Sequence, residues 1–202
     1  MKQMLTAFAA LAVIAAPASA APVVGKPAPN FKLADANGKA VTLSDFRGKT
    51  VVLEWNNPGC PFVKKHYSSG NMQKAQAAAA KDGVVWLTIN SGAPGKQGHM
   101  NGAEAKDFVA GSGARPAAYL LDPNGVVGKA YEAKTTPHMY IVNKAGTLVY
   151  AGGIDDKPTP NAADVNTARN HVLAALAELK AGKPVSVATS RPYGCAVKYK
   201  DS

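Results

Sequence analysis

The segment Val51-Val52-Leu53-Glu54-Trp55-Asn56-Asn57-Pro58-Gly59-Cys60-Pro61-Phe62-Val63 constrains the fold more than any other stretch of the chain. Val51 to Trp55 is a nearly continuous apolar run, the pattern of a central strand buried on both faces. Asn56 to Gly59 interrupts it with turn-forming residues. A helical stretch follows, expected over Phe62 to Ala80 and ending before Asp82-Gly83. A buried strand that delivers the chain into a helix is the unit from which α/β sheets are assembled. Cys60 stands at the junction, where unpaired backbone N–H groups and the positive helix end favour thiolate over thiol. It is the candidate nucleophile.

The remaining elements fit the same class. Phe31 to Asp35 and Ala40 to Leu43 alternate apolar and polar residues around Asn37-Gly38, the signature of a β-hairpin. Val84 to Ile89 reads as a second buried strand. Asn90 to Gly102, with four glycines and a proline, reads as a loop before a short helix around Ala103 to Ala110. Tyr119 to Leu121 is a strand fragment closed by Asp122-Pro123-Asn124-Gly125. Met139 to Val142 and Thr147 to Tyr150 flank Asn143-Lys144-Ala145-Gly146 as a second hairpin. From Asp164 to Lys180, Val165, Val172, Leu173, Leu176 and Leu179 recur at helical spacing, and Gly182 follows where a helix end commonly needs it. The expectation is an α/β fold: a central mixed sheet with helices on both faces and an N-terminal β-hairpin.

The first twenty residues are set apart. Lys2 gives a short basic start, Met4 to Ala16 is mostly apolar, and Ala18-Ser19-Ala20 has the small-residue pattern of a cleavage site. Residues 1–20 are therefore expected to be a signal peptide and residues 21–202 one domain, exported to the periplasm or secreted. The apolar stretch is short of the roughly 20 residues of a permanent span, so no stable membrane insertion is expected. Export places both cysteines in an oxidising compartment. With 23 Lys and Arg against 13 Asp and Glu the chain is strongly basic. Its cations are scattered and not interleaved with aromatics, which reads as a solvated basic surface and not as a nucleic-acid site.

With strand, Cys60 and helix in this order, followed by Thr135-Thr136-Pro137-His138 ahead of Tyr140-Ile141-Val142 and the hairpin region from Asn143 to Gly153, the chain resembles the thioredoxin-like superfamily. The resemblance is to its exported redoxin branch, related to alkyl hydroperoxide reductase and thiol-specific antioxidant proteins, and covers most of residues 21–202. It implies that the Thr136–Pro137 bond is cis and that Pro137 faces the reactive cysteine, shaping the groove where a substrate sulfur approaches, with Trp55, Asn57, Pro61 and Thr136 as further groove residues. It also gives Glu54, six residues before Cys60, the place of a buried carboxylate that relays protons. Burial raises a carboxyl pKa and suits it to acid/base work near neutrality. The plainer alternative is an edge-strand Glu that reaches solvent or pairs with a Lys.

Departures from the family pattern carry as much information. Cys60-Pro61-Phe62-Val63 has valine where a Cys-x-x-Cys centre has its second thiol, so no local disulfide forms. Leu53 and Asn57 occupy the positions of the proline and hydroxyl residue of a peroxiredoxin centre. Asn57 retains an amide that can meet a peroxide oxygen, and Arg115 is a possible nearby cation, although a surface loop position before Pro116 accounts for it as well.

Cys195, in Arg191-Pro192-Tyr193-Gly194-Cys195, is then the natural second thiol for a cycle that needs one to resolve the product formed on the first. An even pair of cysteines in an exported chain also suits a permanent staple, worth on the order of 4–5 kcal/mol through the unfolded state. Of the four histidines, His66, His99 and His171 read as surface or packing residues and His138 as a modest tuner of the redox centre. No metal-ligand spacing and no phosphate loop occur, so neither metal nor cofactor is expected. The sequence thus points to a thiol–disulfide oxidoreductase with Cys60 as nucleophile and Cys195 as resolving thiol. Its substrate would be a protein or small-molecule disulfide, with a thiol electron donor. The alternatives are an antioxidant peroxidase acting on a hydroperoxide, and a non-catalytic binding module with a structural Cys60–Cys195 bridge.

Overall fold

A computed structural model describes residues 21–200. The signal peptide expected over residues 1–20 lies outside the described residues. Seven strands form one mixed sheet: β1 (Lys32–Asp35), β2 (Ala40–Thr42), β3 (Val51–Trp55), β4 (Val85–Asn90), β5 (Ala118–Leu121), β7 (His138–Val142) and β8 (Leu148–Gly152), in the spatial order β2-β1-β5-β4-β3-β7-β8. β4 runs parallel to both β3 and β5, and β7 runs antiparallel to β3. Between β5 and β7 lie the short helix α4 (Val126–Ala130) and the two-residue strand β6 (Thr135–Thr136), which pairs with β9 (Cys195–Ala196) in a separate ribbon.

Pleating sorts the side chains of β3 to two faces. Val52 and Glu54 point to the side covered by α1 (Pro61–Ser68), α2 (Asn71–Lys81) and α5 (His171–Lys180), where Val63, Met72, Ala75, Ala79, Val172 and Leu176 complete the core. Val51, Leu53 and Trp55 point to the other side, against Leu87, Ile89, Tyr131 and Tyr140. α3 (Gly102–Ser112) packs Ala105 against Tyr119 of β5. The mixed sheet with helices on both faces and the N-terminal hairpin are as the sequence predicts.

Two boundaries differ, and one ribbon is unexpected. The helix expected over Phe62 to Ala80 is two helices, because Gly70 adopts φ 73° and Ser69 turns its hydroxyl onto the Lys65 carbonyl at 2.7 Å, so the chain is redirected and α2 packs beside α1. The closing helix starts at His171, where Asn170 accepts the Leu173 N–H at 2.9 Å, while Val165 belongs to a separate 3-10 turn over Ala162–Asn166. The β6–β9 ribbon is too short to carry any periodic signal.

Candidate functional site

Cys60 is the N-cap of α1 and Pro61 its first residue, a position that has no need of an N–H. This puts the Cys60 sulfur over the open N-terminal turn, and the side chain is only 1% exposed. The partner thiol arrives from the far end of the chain: Cys195 is paired with Thr136 across the β6–β9 ribbon, and its Sγ lies 2.7 Å from Cys60 Sγ. The Thr136 carbonyl is 3.1 Å from Cys60 Sγ and accepts from the protonated thiol. The Thr136–Pro137 bond is cis, as the resemblance implies.

The two sulfurs are electrostatically unlike. Burial pushes the Cys60 thiol up, but hydrogen bonds from the Cys195 thiol, the Val63 and Cys195 backbone and Thr136 outweigh it, and Cys60 is held below its ordinary value. Cys195 is pushed up to about 11 by burial, by the hydrogen bond to Cys60 and by the Cys60 charge. Of the two sulfurs Cys60 is the one that gives up its proton first, and the titration belongs to the pair.

Glu54 is wholly buried and does not reach an edge. Its Oε1 accepts from Tyr67 Oη at 2.7 Å and Asn56 Nδ2 at 3.1 Å; its Oε2 accepts from Trp86 Nε1 at 2.8 Å, Thr88 Oγ1 at 3.1 Å and Gln76 Nε2 at 3.5 Å. Burial raises its pKa, partly offset by the bonds from Tyr67, Trp86, Asn56 and Thr88. It sits on the α1 face of β3, the same face as Cys60.

The expected groove residues fare differently. Trp55 lines no groove: it is fully buried on the opposite face of β3, with Nε1 donating to Ser91 Oγ at 3.0 Å and its ring against Tyr131 and Tyr140. Asn57 is buried and committed, accepting the Gly59 N–H at 2.9 Å and donating to Gln97 Oε1 at 3.0 Å. With Thr136 it borders a polar cavity of about 10 Å³, room for one water. Pro61 is exposed beside Cys60, and Arg115 is an exposed loop residue. His138 bonds Tyr140 Oη at 3.1 Å and lies on the Trp55 side, with its pKa lowered by burial to about 4; no contact links it to the thiols. An open groove of about 560 Å³ is bordered instead by Phe62, Thr135, Arg191, Tyr193 and Gly194, among them chain neighbours of Cys60 and Cys195, while neither cysteine lines it.

Four residues were given no role by the sequence, His66 among them, read only as a surface or packing residue. Lys65 and His66 on α1 are buried at 1% and 0% exposure, and Asp155 and Tyr193 complete a polar cluster with them. The available signals were a Lys-His pair within the helix after Cys60 and an aromatic residue two positions before Cys195.

A family model described as "AhpC/TSA family" matches residues 24–151. Thiol-disulfide oxidoreductase ResA of Bacillus subtilis (strain 168) is 30% identical over 125 residues, which cover 62% of this chain and 64% of that protein. The chain thus spans slightly under two thirds of that relative's length. Among solved structures, a hypothetical protein of Sinorhizobium meliloti 1021 superposes with a TM-score of 0.74 at 25% identity, covering 91% of this chain and 98% of that one. A provisionally identified thiol:disulfide interchange protein DsbE of Chlorobium tepidum shares the fold, with a TM-score of 0.53 at 24% identity over 65% of this chain and 85% of that one.

Proposed function

The chain belongs to the AhpC/TSA family, and on that premise we propose that it is an exported thiol–disulfide oxidoreductase in which Cys60 attacks and Cys195 resolves. The observation that carries this reading is the 2.7 Å contact between two sulfurs of opposite pKa shift. The Cys60 thiolate attacks one sulfur of a substrate disulfide, forming a mixed disulfide and expelling the other sulfur as thiolate. Cys195 then attacks Cys60 Sγ, giving the Cys60–Cys195 disulfide and the second substrate thiol. Two electrons pass to the substrate, and a thiol donor returns them. A low pKa also makes Cys60 the better leaving group when the donor attacks Cys195, the more exposed sulfur.

Glu54 is the proton reservoir behind the centre, and Pro137 shapes the approach to it. Among the described residues no helix is long and apolar enough to cross a membrane, and export rests on the Lys2, Met4 to Ala16 and Ala18-Ser19-Ala20 pattern. Peroxide reduction is the weaker reading because the Asn57 amide is already spent on Gly59 and Gln97.

The test is disulfide turnover with intact-mass analysis. Cys60→Ser removes turnover by at least about a thousandfold, whereas Cys195→Ser accumulates a mixed disulfide on Cys60. Full activity of both variants overturns the assignment. A Cys60–Cys195 disulfide with a potential below about −300 mV marks a static staple and favours the binding module.

A further inference from the structure

Helix α1 holds both thiols, one directly and one through side chains. Cys60 caps its N-terminus, and Lys65 and His66, less than two turns on, grip Tyr193, two residues before Cys195. Tyr193 Oη donates to Asp155 Oδ1 at 2.5 Å and lies 3.1 Å from His66 Nε2. The other ring nitrogen, Nδ1, is 2.8 Å from Asn71 Nδ2, an amide donor. These bonds assign a neutral His66 that donates from Nε2 to Tyr193 and accepts at Nδ1. Lys65 Nζ donates to the Lys157 carbonyl at 2.7 Å, stands 3.6 Å from Asp155 Oδ2 and sits 5.4 Å from the centroid of the Tyr193 ring. Phe62 meets that ring edge-on at 5.8 Å.

A buried Lys–Asp pair is a poor way to gain stability, since desolvation offsets the attraction and apolar residues of similar volume often do as well. Here the geometry is also imperfect, for Asp155 Oδ2 accepts no hydrogen bond. What the cluster does supply is a fixed location for one hydroxyl. From that hydroxyl the path to Cys195 is short and rigid: Gly194 has φ 137°, and a Cβ there would come within 2.0 Å of the Thr136 carbonyl oxygen. Seating Tyr193 therefore seats Cys195, and seating Cys195 covers Cys60.

We propose that Lys65, His66 and Asp155 form a buried latch for Tyr193, the positioning residue that holds Cys195 against Cys60, so that the latch shields Cys60 from substrate and hastens its resolution afterwards. The inference rests on the oxidoreductase reading for its kinetics but not for its equilibrium. A substrate disulfide reaches Cys60 only when the tail lifts; the mixed disulfide is resolved only when the tail returns. Weakening the latch thus moves the two steps in opposite directions, which general loss of stability would not do.

The experiment uses the reduced protein and a chromogenic aryl disulfide. Cys60 thiolate attacks it and releases one aryl thiolate; Cys195 attacks the resulting mixed disulfide, loses its proton to water and releases the second. For Tyr193→Phe, which removes only the hydroxyl, the first release quickens several-fold and the second slows about tenfold, the scale of one hydrogen bond to a charged acceptor. If Tyr193→Phe does not fold, His66→Ala shows the same opposed changes and His66→Gln, which restores a donor, reverses them. Release rates that both stay within twofold of the parent, or move together, overturn the latch. If the parent releases no aryl thiolate, the oxidoreductase reading fails instead. The latch is then judged by the equilibrium of the Cys60–Cys195 disulfide against glutathione, which Tyr193→Phe shifts about tenfold toward the dithiol if the latch is real and leaves unchanged if it is not.

Discussion

Cys60 and Cys195 touch, but the segments that bring them there are built on different terms. The Cys60 segment is made by neighbours in sequence: β3 in full register with β4 and β7, a turn in which Cys60 N–H donates to Asn57 at 3.0 Å, and a proline that starts α1. The Cys195 segment has two residues of strand and no helix of its own. It is held by Thr136, Asp155, His66 and Ala133, which lie 59, 38, 127 and 66 residues from their bonding partners in the tail. The seat of Cys60 at the helix end is thus built locally, while proximity, and with it the Cys195 hydrogen bonds that help lower the Cys60 pKa, is imported by side-chain anchors. The two segments are separable by mutation: changes in the tail alter how often the sulfurs meet and leave the helix end beneath Cys60, with its Val63 backbone bond, intact.

The largest separation is expected from Gly194→Ala. The φ of 137° is unfavourable to any L side chain, and the new methyl would meet the Thr136 carbonyl oxygen at 2.0 Å and its carbon at 2.7 Å, both backbone atoms that cannot swing aside. Strain and overpacking of this kind cost about 3 kcal/mol together, so β9 detaches from β6. Release of the second aryl thiolate should fall about a hundredfold, with Cys60 alkylating at least as fast as in the parent. A Gly194→Ala protein that resolves within threefold of the parent would mean the tail tolerates slack, and the contrast between the two segments would dissolve.

The same contrast decides what the sequence discloses. Val51 to Trp55, the break at Asn56 to Gly59 and the following helix are legible because period, turn residues and N-cap position are local quantities. The orientation of Glu54 also follows from pleating, since it shares a face with Val52. Trp55 is misread for the complementary reason: its proximity to Cys60 in sequence hides that it points to the other face. The roles of Lys65 and Asp155 are invisible because each residue type is ordinarily exposed, and only their joint burial around Tyr193 gives them meaning. Cys195 is identified by chemistry, as the only other thiol, while the strand that delivers it is two residues long.

Acid should loosen the tail anchor through His66. Burial, opposed by Asp155 and aided by Lys65, lowers its pKa from 6.5 to about 4. A folded-state pKa below the unfolded value means that the neutral ring contributes in full above about pH 6.5, and that stability is lost as pH falls toward 4. One pKa unit is about 1.4 kcal/mol, so the loss is about 3 kcal/mol by pH 4. His138, lowered to about 4 by burial and by Lys134, adds a loss of the same sign from the opposite face. Glu54, raised above 4.5 by burial, acts with the other sign: its contribution is present below pH 4.5 and is lost as pH rises. The informative quantity is therefore the difference between parent and His66→Gln in denaturant titrations at pH 7 and pH 4.5. The parent should lose more on acidification, by about 2–3 kcal/mol. Equal losses would place the acid sensitivity elsewhere and remove His66 from the account of the tail.

The smallest effect is expected at the far end of the same segment. Tyr199 Oη donates to the Ala133 carbonyl at 2.7 Å, four residues beyond Cys195. Between them the backbone is already fixed, by Val197 N–H on Lys134 at 3.1 Å and by Ala93 N–H on Lys198 at 2.8 Å. Tyr199→Phe should cost about 1 kcal/mol of stability and leave the release of the second aryl thiolate within twofold of the parent, because those two backbone bonds insulate Cys195 from it. Tyr193 has no such insulation, only Gly194 separating it from the thiol. If Tyr199→Phe slows resolution as much as Tyr193→Phe does, the tail is a cooperative unit in which every anchor counts alike, and the proximity of the thiols is a property of the whole segment and not of the cluster on α1.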